Sequence, residues 1–387
     1  MTTEMVELDA LMARRNGSVN PAKFLDEEFE LHSIPAFDAG RPDFVNGSQI
    51  GSSKQVVQPN DVMISKIVPH IRRASVVGAS SGRRQIASGE WIVFRSERVF
   101  PNYLRQVLVS DDFNAKFMNT VAGVGGSLLR ARPAEVAKIK IPLPPIPEQR
   151  RIAAILDKAD ALRAKRREAI AKLDQLLQSV FLEMFGDPVT NTKGWPLISF
   201  ADVGQWKSGA TPSKSEPTYW DGSFPWVSPK DMKVSLITDA QDHVSDLAFQ
   251  STNLKRIEPD HLLIVVRGMI LAHSFPTAVN AVPIAINQDM KAIAPIKDLN
   301  IVYLQAIVNS LKGRILSVVS TAGHGTCRLD TRDASEVMVP VPPLEMQLAY
   351  KDIANQNTRL RIKALEQLKK LDSMSGALQQ KAFDGAL

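Results

Sequence analysis

The sequence has little of several features that would assign a protein quickly. It holds one cysteine, Cys327, in 387 residues, which excludes a disulfide framework, and its six histidines show no metal-ligand spacing with that thiol. No apolar run is long enough to cross a bilayer, and the acidic, polar start lacks the basic and apolar regions of a signal peptide. The expectation is a cytoplasmic chain with no membrane partner. No metal-binding motif, nucleophile elbow, complete phosphate loop or full dinucleotide fingerprint is present. The prolines Pro144-Pro145 and Pro342-Pro343 follow Leu143 and Val341, so they are not the Asn-Pro-Pro-aromatic motif of an amino-methyltransferase. A catalytic role therefore has no residues to stand on, and no cofactor or metal is expected on this chain.

Acidic residues are missing in two particular places. Between Val62 and Gly89 stand Lys66, His70, Arg72, Arg73, Arg83 and Arg84 with no Asp or Glu among them. The window from His261 to Gln288, with Arg267 and His273, lacks acids as well. A net charge of +6 and a pI near 9.3 point only weakly to nucleic acid, and this distribution says more than the total. The cluster Asp26, Glu27, Glu28 and Glu30 reads as a solvated face.

What the chain does have is a repeat of half its length. Ile139-Lys-Ile-Pro142-Leu-Pro144-Pro145-Ile-Pro147-Glu148-Gln149 returns 198 residues later as Val337-Met-Val-Pro340-Val-Pro342-Pro343-Leu-Glu-Met-Gln347. The match runs on through Arg163 and Arg361, Asp174 and Asp372, and Phe185 and Phe383. One architecture is built twice. Each proline run favours an extended, stiff entry into a helix, with Pro147 and Glu148 suited to a first turn and Gly186-Asp187-Pro188 suited to stop it.

Heptad spacing predicts an apolar seam on the first helix through Ile152, Ile155, Ala159, Leu162, Ala169, Leu173, Leu176 and Val180, widened by Leu156, Ile170, Leu177 and Met184. On the second helix the same spacing selects Ile353, Asn357, Leu360, Ala364, Leu368, Leu371, Met374 and Leu378. Each helix seeks a partner, and the other copy is the obvious one. At ~1.5 Å per residue such a helix reads as a spacer of roughly 55 Å.

The globular parts also repeat, more loosely. Pro59-Asn-Asp-Val-Met-Ile64 returns as Pro259-Asp-His-Leu-Leu-Ile264, and Tyr103-Leu104 as Tyr303-Leu304. The fold class predicted is α+β: two pseudo-symmetric domains separated by two long helices forming an antiparallel coiled coil. The boundaries drawn are 1–141, a doorway and helix over 142–187, 188–339, and a second doorway and helix over 340–387. Residues 1 to about 60 read as short helices and loops, Tyr103–Val121 as one helix, and Val136–Ile141 as a strand.

Loops rich in Lys, Ser, Thr and aromatics suit contacts to a nucleic-acid backbone and bases. In the second half they supply Lys207, Ser208, Thr211, Lys214, Tyr219, Trp220 and Lys230. Trp220 and Trp226 read equally well as core anchors. Glycine-rich turns near Gly123 and Gly323 read first as structural turns; as a functional option they add Ser127 and Arg130, and His324, Thr326 and Arg328, as candidates for phosphate contact.

The two proline doorways with their helices, together with Gly209-Ala-Thr-Pro-Ser-Lys214, Tyr219-Trp220 and Pro225-Trp226-Val-Ser-Pro-Lys230-Asp231, resemble the specificity subunit of type I restriction–modification enzymes. The resemblance implies two target-recognition domains, each reading half of a split site in double-stranded DNA. It implies two modification subunits that bind S-adenosylmethionine and methylate adenine, and restriction subunits that join them. Half-sites about one helical turn apart, roughly 34 Å, would face the same side of the duplex. The alternatives are a specificity module of another restriction system, a coiled-coil scaffold with no DNA role, and an independent enzyme.

Overall fold

A computed structural model of the chain describes residues 4–14, 16–123, 129–321 and 325–387. The chain forms two compact units, Met1–Glu168 with Ala364–Leu387, and Ala169–Lys363. Each long helix contributes one part to each unit. Both units mix helices and strands, the α+β class expected.

In the first unit the strands that matter are β1 (Glu28–His32), β2 (Val62–Ser65), β3 (Ala74–Val76), β4 (Arg84–Ala87) and β5 (Trp91–Phe94). β2 lies between β3 and β5 and runs antiparallel to both. β1 and β4 pair in parallel inside a five-stranded sheet, which Asp43–Asn46, Lys54–Val56 and Ser18–Val19 complete. The first 60 residues supply the short helices expected, Leu8–Leu11, Pro21–Lys23, Ile34–Asp38 and Gly47–Gln49, and also strands that were not expected. Strand alternation is hidden on β1 because the neighbours Phe29 and Glu30 are both buried.

The single helix expected over Tyr103–Val121 is two, Pro101–Leu108 and Asp111–Met118. Ser110 divides them: its Oγ donates to the Val107 carbonyl at 2.7 Å and accepts from the Phe113 N–H at 3.3 Å, capping the second helix. Likewise the strand expected over Val136–Ile141 is a helical turn, Pro133–Val136, followed by a strand at Lys140–Leu143.

In the second unit β6 (Gly204–Ser208), β8 (Leu262–Val265), β9 (Thr277–Asn280) and β10 (Met290–Pro295) form the main sheet, which Leu236–Ile237 completes at the edge beside β9, with β7 (Phe224–Val227) in a smaller one. All four residues of β8 are buried, and it is antiparallel to β9 on one side and β10 on the other. The repeated turns before β2 and β8 share a left-handed residue, Asn60 at φ 73° and Asp260 at φ 63°. Asn and Asp tolerate that conformation better than other non-glycine residues.

Each proline doorway is locked twice. Among the described residues the strands Lys140–Leu143 and Met338–Pro340 pair only with Glu4–Glu7 and Leu197–Ser199, so Pro142 and Pro340 sit in two-stranded ladders where a missing donor is tolerated. The Tyr103 and Tyr303 hydroxyls each donate at 2.8 Å, to the carbonyls of Pro142 and Pro340. Gln149 is fully engaged: its Oε1 accepts from the Phe100 N–H, and its Nε2 donates to the Arg98 and Pro144 carbonyls. Gln347 repeats this with Asn300, Asp298 and Pro342.

Beyond the doorways run α1 (Ile146–Phe185) and α2 (Leu344–Phe383). α1 ends at Gly186, whose φ of 78° and close neighbour, Thr192 Oγ1 at 2.3 Å from any added Cβ, require glycine. The helices pair antiparallel within each unit. In the first, Arg163 Nε meets Asp372 Oδ1 at 2.6 Å and Arg151 Nη2 reaches the Leu387 carbonyl at 2.7 Å. In the second, Arg361 meets Asp174 at 3.0 Å, Asn357 Nδ2 donates to the Leu173 carbonyl at 2.9 Å, and Phe181 packs edge-on against Tyr350.

One column of the predicted seam is displaced by a residue. Leu162 and Leu176 are 48% and 54% exposed, and Ile353, Leu360 and Met374 are also exposed. Arg163 and Leu177 are turned inward in place of the first two, and Ala354 and Ser375 lie buried beside Ile353 and Met374. The other column, with Leu173, Val180 and Leu371, is half-buried, as is Leu368, while Ile155 sits half-exposed at the flank. The cause is the anchoring of the helix ends. Ile152, Ala153 and Leu156 join the first unit's core, while Phe181 and Phe185 join the second's, in ring contact with Tyr303 and Tyr350. Those anchors fix the rotation of α1, and one residue is ~100° of helix.

Candidate nucleic-acid interface

In the second unit one end of the main sheet gathers residues from four separate stretches. β6 leaves the sheet at Ser208, opposite Lys291 at the start of β10, and Lys291 Nζ donates to Ser208 Oγ at 2.6 Å. The chain then turns at Gly209, where a Cβ would lie 2.1 Å from the Ile286 carbonyl oxygen, so only glycine fits. That turn carries Thr211 to Gln288, which accepts from its hydroxyl, while Asn287 Nδ2 donates to the same oxygen at 3.3 Å. Arg267, just beyond β8, donates from Nε to Asp289 at 2.5 Å and faces Arg328 across an antiparallel bridge. Arg328 in turn meets Asp330 at 2.5 Å, and Thr326 sits half-buried beside it.

The structure therefore brings Ser208, Thr211, Arg267, Thr326 and Arg328 together. It adds Lys291, Asn287 and Gln288, which carried no motif in the sequence and are found only through strand register. Lys207 belongs elsewhere: strand alternation turns it to the opposite face of β6, where its charge bears on buried His261. His261 is held below its ordinary pKa, first by burial and also by Lys207. His273 is exposed at the end of the turn that follows Arg267.

Lys214, Trp220 and Lys230 lie on loops around the smaller sheet, and Tyr219 ends the short helix Pro217–Tyr219. Trp226 is buried, donates from Nε1 to the Ala210 carbonyl at 3.0 Å, and meets Trp220 edge-on at 5.0 Å. Trp220 donates to the Ser213 carbonyl at 3.1 Å. These aromatics hold the loop from Gly209 to Ser215 in place, so Trp226 is a core anchor and Trp220 a loop brace. Lys214 and Lys230 are exposed and have no ion-pair partner among the described residues.

The first unit builds the same sheet end with other side chains. Lys66 lies just beyond β2, its N–H donating to the Glu90 carbonyl and its carbonyl accepting from Ala131. Ile67 faces Arg130 across a bridge, as Arg267 faces Arg328, and Arg130 Nε donates to Glu90 at 3.4 Å. His70 is exposed on the following loop. Ser127 and His324 lie outside the described residues.

The remaining arginines of the acid-free window are not free. Arg73 grips Asp38 with two bonds of 2.7 and 2.8 Å and its side chain is only 11% exposed, so it ties two elements of the fold together. Arg72 is bound to the Val109 carbonyl and to Asp111. Arg83 meets Glu28, and Arg84 meets Glu27 at 3.0 Å while stacking over Phe24. The acidic cluster is thus no solvated face. Parallel pairing of β1 with β4 sets Glu27 and Glu28 beside arginines more than fifty residues away. Glu30 is buried against burial's own penalty, its carboxyl held low by Ser81, Gln85 and His32.

Among the described residues there is no cluster of His, Cys, Asp and Glu able to hold a metal, and no helix is long and apolar enough to cross a membrane.

The family model described as the type I restriction modification DNA specificity domain matches residues 46–172 and 192–371, most of the chain. The specificity subunit of the type I restriction enzyme EcoR124I/EcoR124II of Escherichia coli is 31% identical over 229 residues, 57% of this chain and 55% of that one. The chain spans about half the length of the curated relatives it matches. A solved chain from a study of type I R-M complex assembly and conformational transition aligns over 99% of this chain and 98% of its own, with TM-score 0.61 and 22% identity. The S subunit of a type I system from M. genitalium aligns over 99% and 96%, with TM-score 0.58 and 14% identity. At these identities the two structures speak for the fold alone.

Proposed function

Because the chain belongs to the type I restriction–modification DNA specificity family, we propose that it is the sequence-reading subunit of such a system, each unit reading one half of a bipartite, asymmetric site in double-stranded DNA. The observation that carries this reading is the sheet end built twice. A strand end and an antiparallel bridge to an Arg recur, at Ile67 and Arg130 and at Arg267 and Arg328. The frame is common while the side chains around it differ, which is what two unlike half-sites require.

Sorting by available charge assigns backbone contact to Lys66, Lys214, Lys230 and Lys291, with Arg267 and Arg328 held at fixed angles by their carboxylates. Charge on phosphates sets register, and a smaller set of side chains reads base edges.

The paired helices set the spacing of the half-sites and dock two modification subunits. Support comes from exposed apolar residues spaced by multiples of seven, Leu162 and Leu176 on α1 and Ile353, Leu360 and Met374 on α2. A solvent-facing apolar column beside an occupied seam fits a partner helix. In this reading the chain itself is non-catalytic and cytoplasmic. S-adenosylmethionine is carried by the modification subunits, which methylate adenine, and restriction subunits complete the assembly.

The test is methylation mapping of genomic DNA from cells expressing this chain with its neighbouring modification subunit, against cells lacking the chain. A split, asymmetric motif that vanishes with the chain is expected. No new motif, with the modification subunit active beside another specificity chain, overturns the proposal.

A further inference from the structure

The turn that joins β8 to β9 carries Met269, whose 74% exposure is the largest of any bulky apolar side chain among the described residues. Exposing so large an apolar group to water is unfavourable, yet this turn is built to hold it there. Gly268, at φ 145°, opens the turn and donates its N–H to the Cys327 carbonyl at 3.0 Å. Two residues past Met269, Leu271 is buried and anchors the turn, leaving Met269 and Ile270 outward.

Position and charge indicate what they meet. The turn leaves directly from Arg267, so it stands at the same sheet end as Lys291 and Arg328. There, three cations face two carboxylates, Asp289 and Asp330. The first unit repeats the arrangement: the loop joining β2 to β3 leaves from Lys66 and exposes Ile71, with His70 and Arg72 on either side. The frame of this loop recurs while its apolar tip differs, Ile71 in one unit and Met269-Ile270 in the other. A tip that merely stabilised the frame would have no reason to project from it.

We propose that Met269 and Ile270 make non-polar contact with a base pair in the half-site read by the second unit, as Ile71 does in the first, and that these tips are specificity-determining. The inference rests on the DNA-reading function above. Two apolar features of DNA suit such a side chain, the thymine 5-methyl group in the major groove and the faces of a base step opened by a wedge. In either case the contact adds no charge.

The experiment uses the methyltransferase assembled from the full chain and its modification subunit, on duplexes carrying the mapped motif. Met269→Ala and Ile270→Ala, singly and together, are compared with Ile71→Ala for methylation rate on the motif and on every single-base-pair change to it. The second-unit variants should lower the rate on the motif by roughly ten- to a hundredfold. They should relax discrimination at one or two adjacent pairs of one half-site only, with Ile71→Ala acting on the other. The slope of affinity against salt should stay unchanged. Deoxyuridine for thymine at the affected pair reproduces the loss if a methyl group is read, and 2-aminopurine beside it brightens on binding if a wedge opens the step; either result supports the contact. Unchanged discrimination at every pair overturns the inference while leaving the DNA-reading function intact. So does an equal loss on all duplexes with failure to assemble, which assigns the tips to a protein contact. If no motif is mapped at all, the DNA-reading function falls first and the inference with it.

Discussion

Arg163 and Asp372, 209 residues apart in sequence, meet at 2.6 Å between the two long helices, and the internal repeat makes the same pair again from Arg361 and Asp174 at 3.0 Å. Residue 163 plus the repeat length of 198 is 361, and 174 plus 198 is 372. Each bond thus joins one copy's arginine to the other copy's aspartate, the exchange expected of antiparallel pairing between repeated helices. Arg167 adds a second contact to Asp372 at 3.3 Å.

This pair serves registry more than strength. Asp372 is 41% exposed, so Asp372→Asn should cost only about 0.5–1 kcal/mol in urea melts. Reversing both charges, Arg163→Asp with Asp372→Arg, should recover part of that loss. A double variant no more stable than the sum of its single variants would remove the pair from any role in pairing.

Helix length is predicted to set the gap in the target. Inserting seven residues into α1 and seven at the matching point of α2 preserves the seam and lengthens the separation by ~10 Å, about three base pairs of DNA. Methylation mapping should return the same half-sites with a longer spacer. An unchanged spacer contradicts the ruler role.

The two doorway glutamines should be among the most sensitive positions in the chain. Gln149→Leu leaves the Phe100 N–H and two carbonyls without their partner, and Gln347→Leu does the same at Asn300. Buried groups stripped of partners cost ~1–3 kcal/mol each, so each variant should lower the melting temperature by several degrees. Near-identical melting would mean water replaces the side chain without loss.

Lysines and arginines of the candidate interface should separate cleanly. Lys214→Ala and Lys230→Ala should weaken binding to every duplex and reduce the slope of log affinity against log salt by about one each. Arg73→Ala should instead lower stability, since its side chain bridges to Asp38. An Arg73→Ala protein with native melting and a flattened salt slope would return that residue to the DNA.

Stability should fall on mild acidification because His261 is buried neutral. Burial holds its pKa below 6.5, so the unfolded chain binds the extra proton first. Stability is then full above about pH 6.5 and is lost as pH falls from there through the lowered folded value. His261→Gln should melt with less dependence on pH between about 7 and 5.5 than the parent does. Equal dependence would place the acid sensitivity elsewhere, His32 being the other histidine among the described residues that burial holds low.

The sequence by itself determined what is local or repeated. The doorways, both long helices, the glycine that stops α1 and the paired turns at Asn60 and Asp260 all follow from residues close together in the chain, because proline geometry, helix periodicity and positive-φ turns act over a few residues. The 198-residue repeat carried Gln149 onto Gln347 and Arg163 onto Arg361 before their partners were known. Tertiary structure decided which charges are free and which way the helices turn. The acid-free window around Arg83 and Arg84 is neutralised by Glu27 and Glu28 only because β1 pairs with β4. Leu162 faces out and Arg163 faces Asp372 because Ile152 and Leu156 at one end, and Phe181 and Phe185 at the other, are buried in separate cores. Burial at those ends outweighs any one apolar residue along the seam, and no window of sequence contains both ends and the cores they enter.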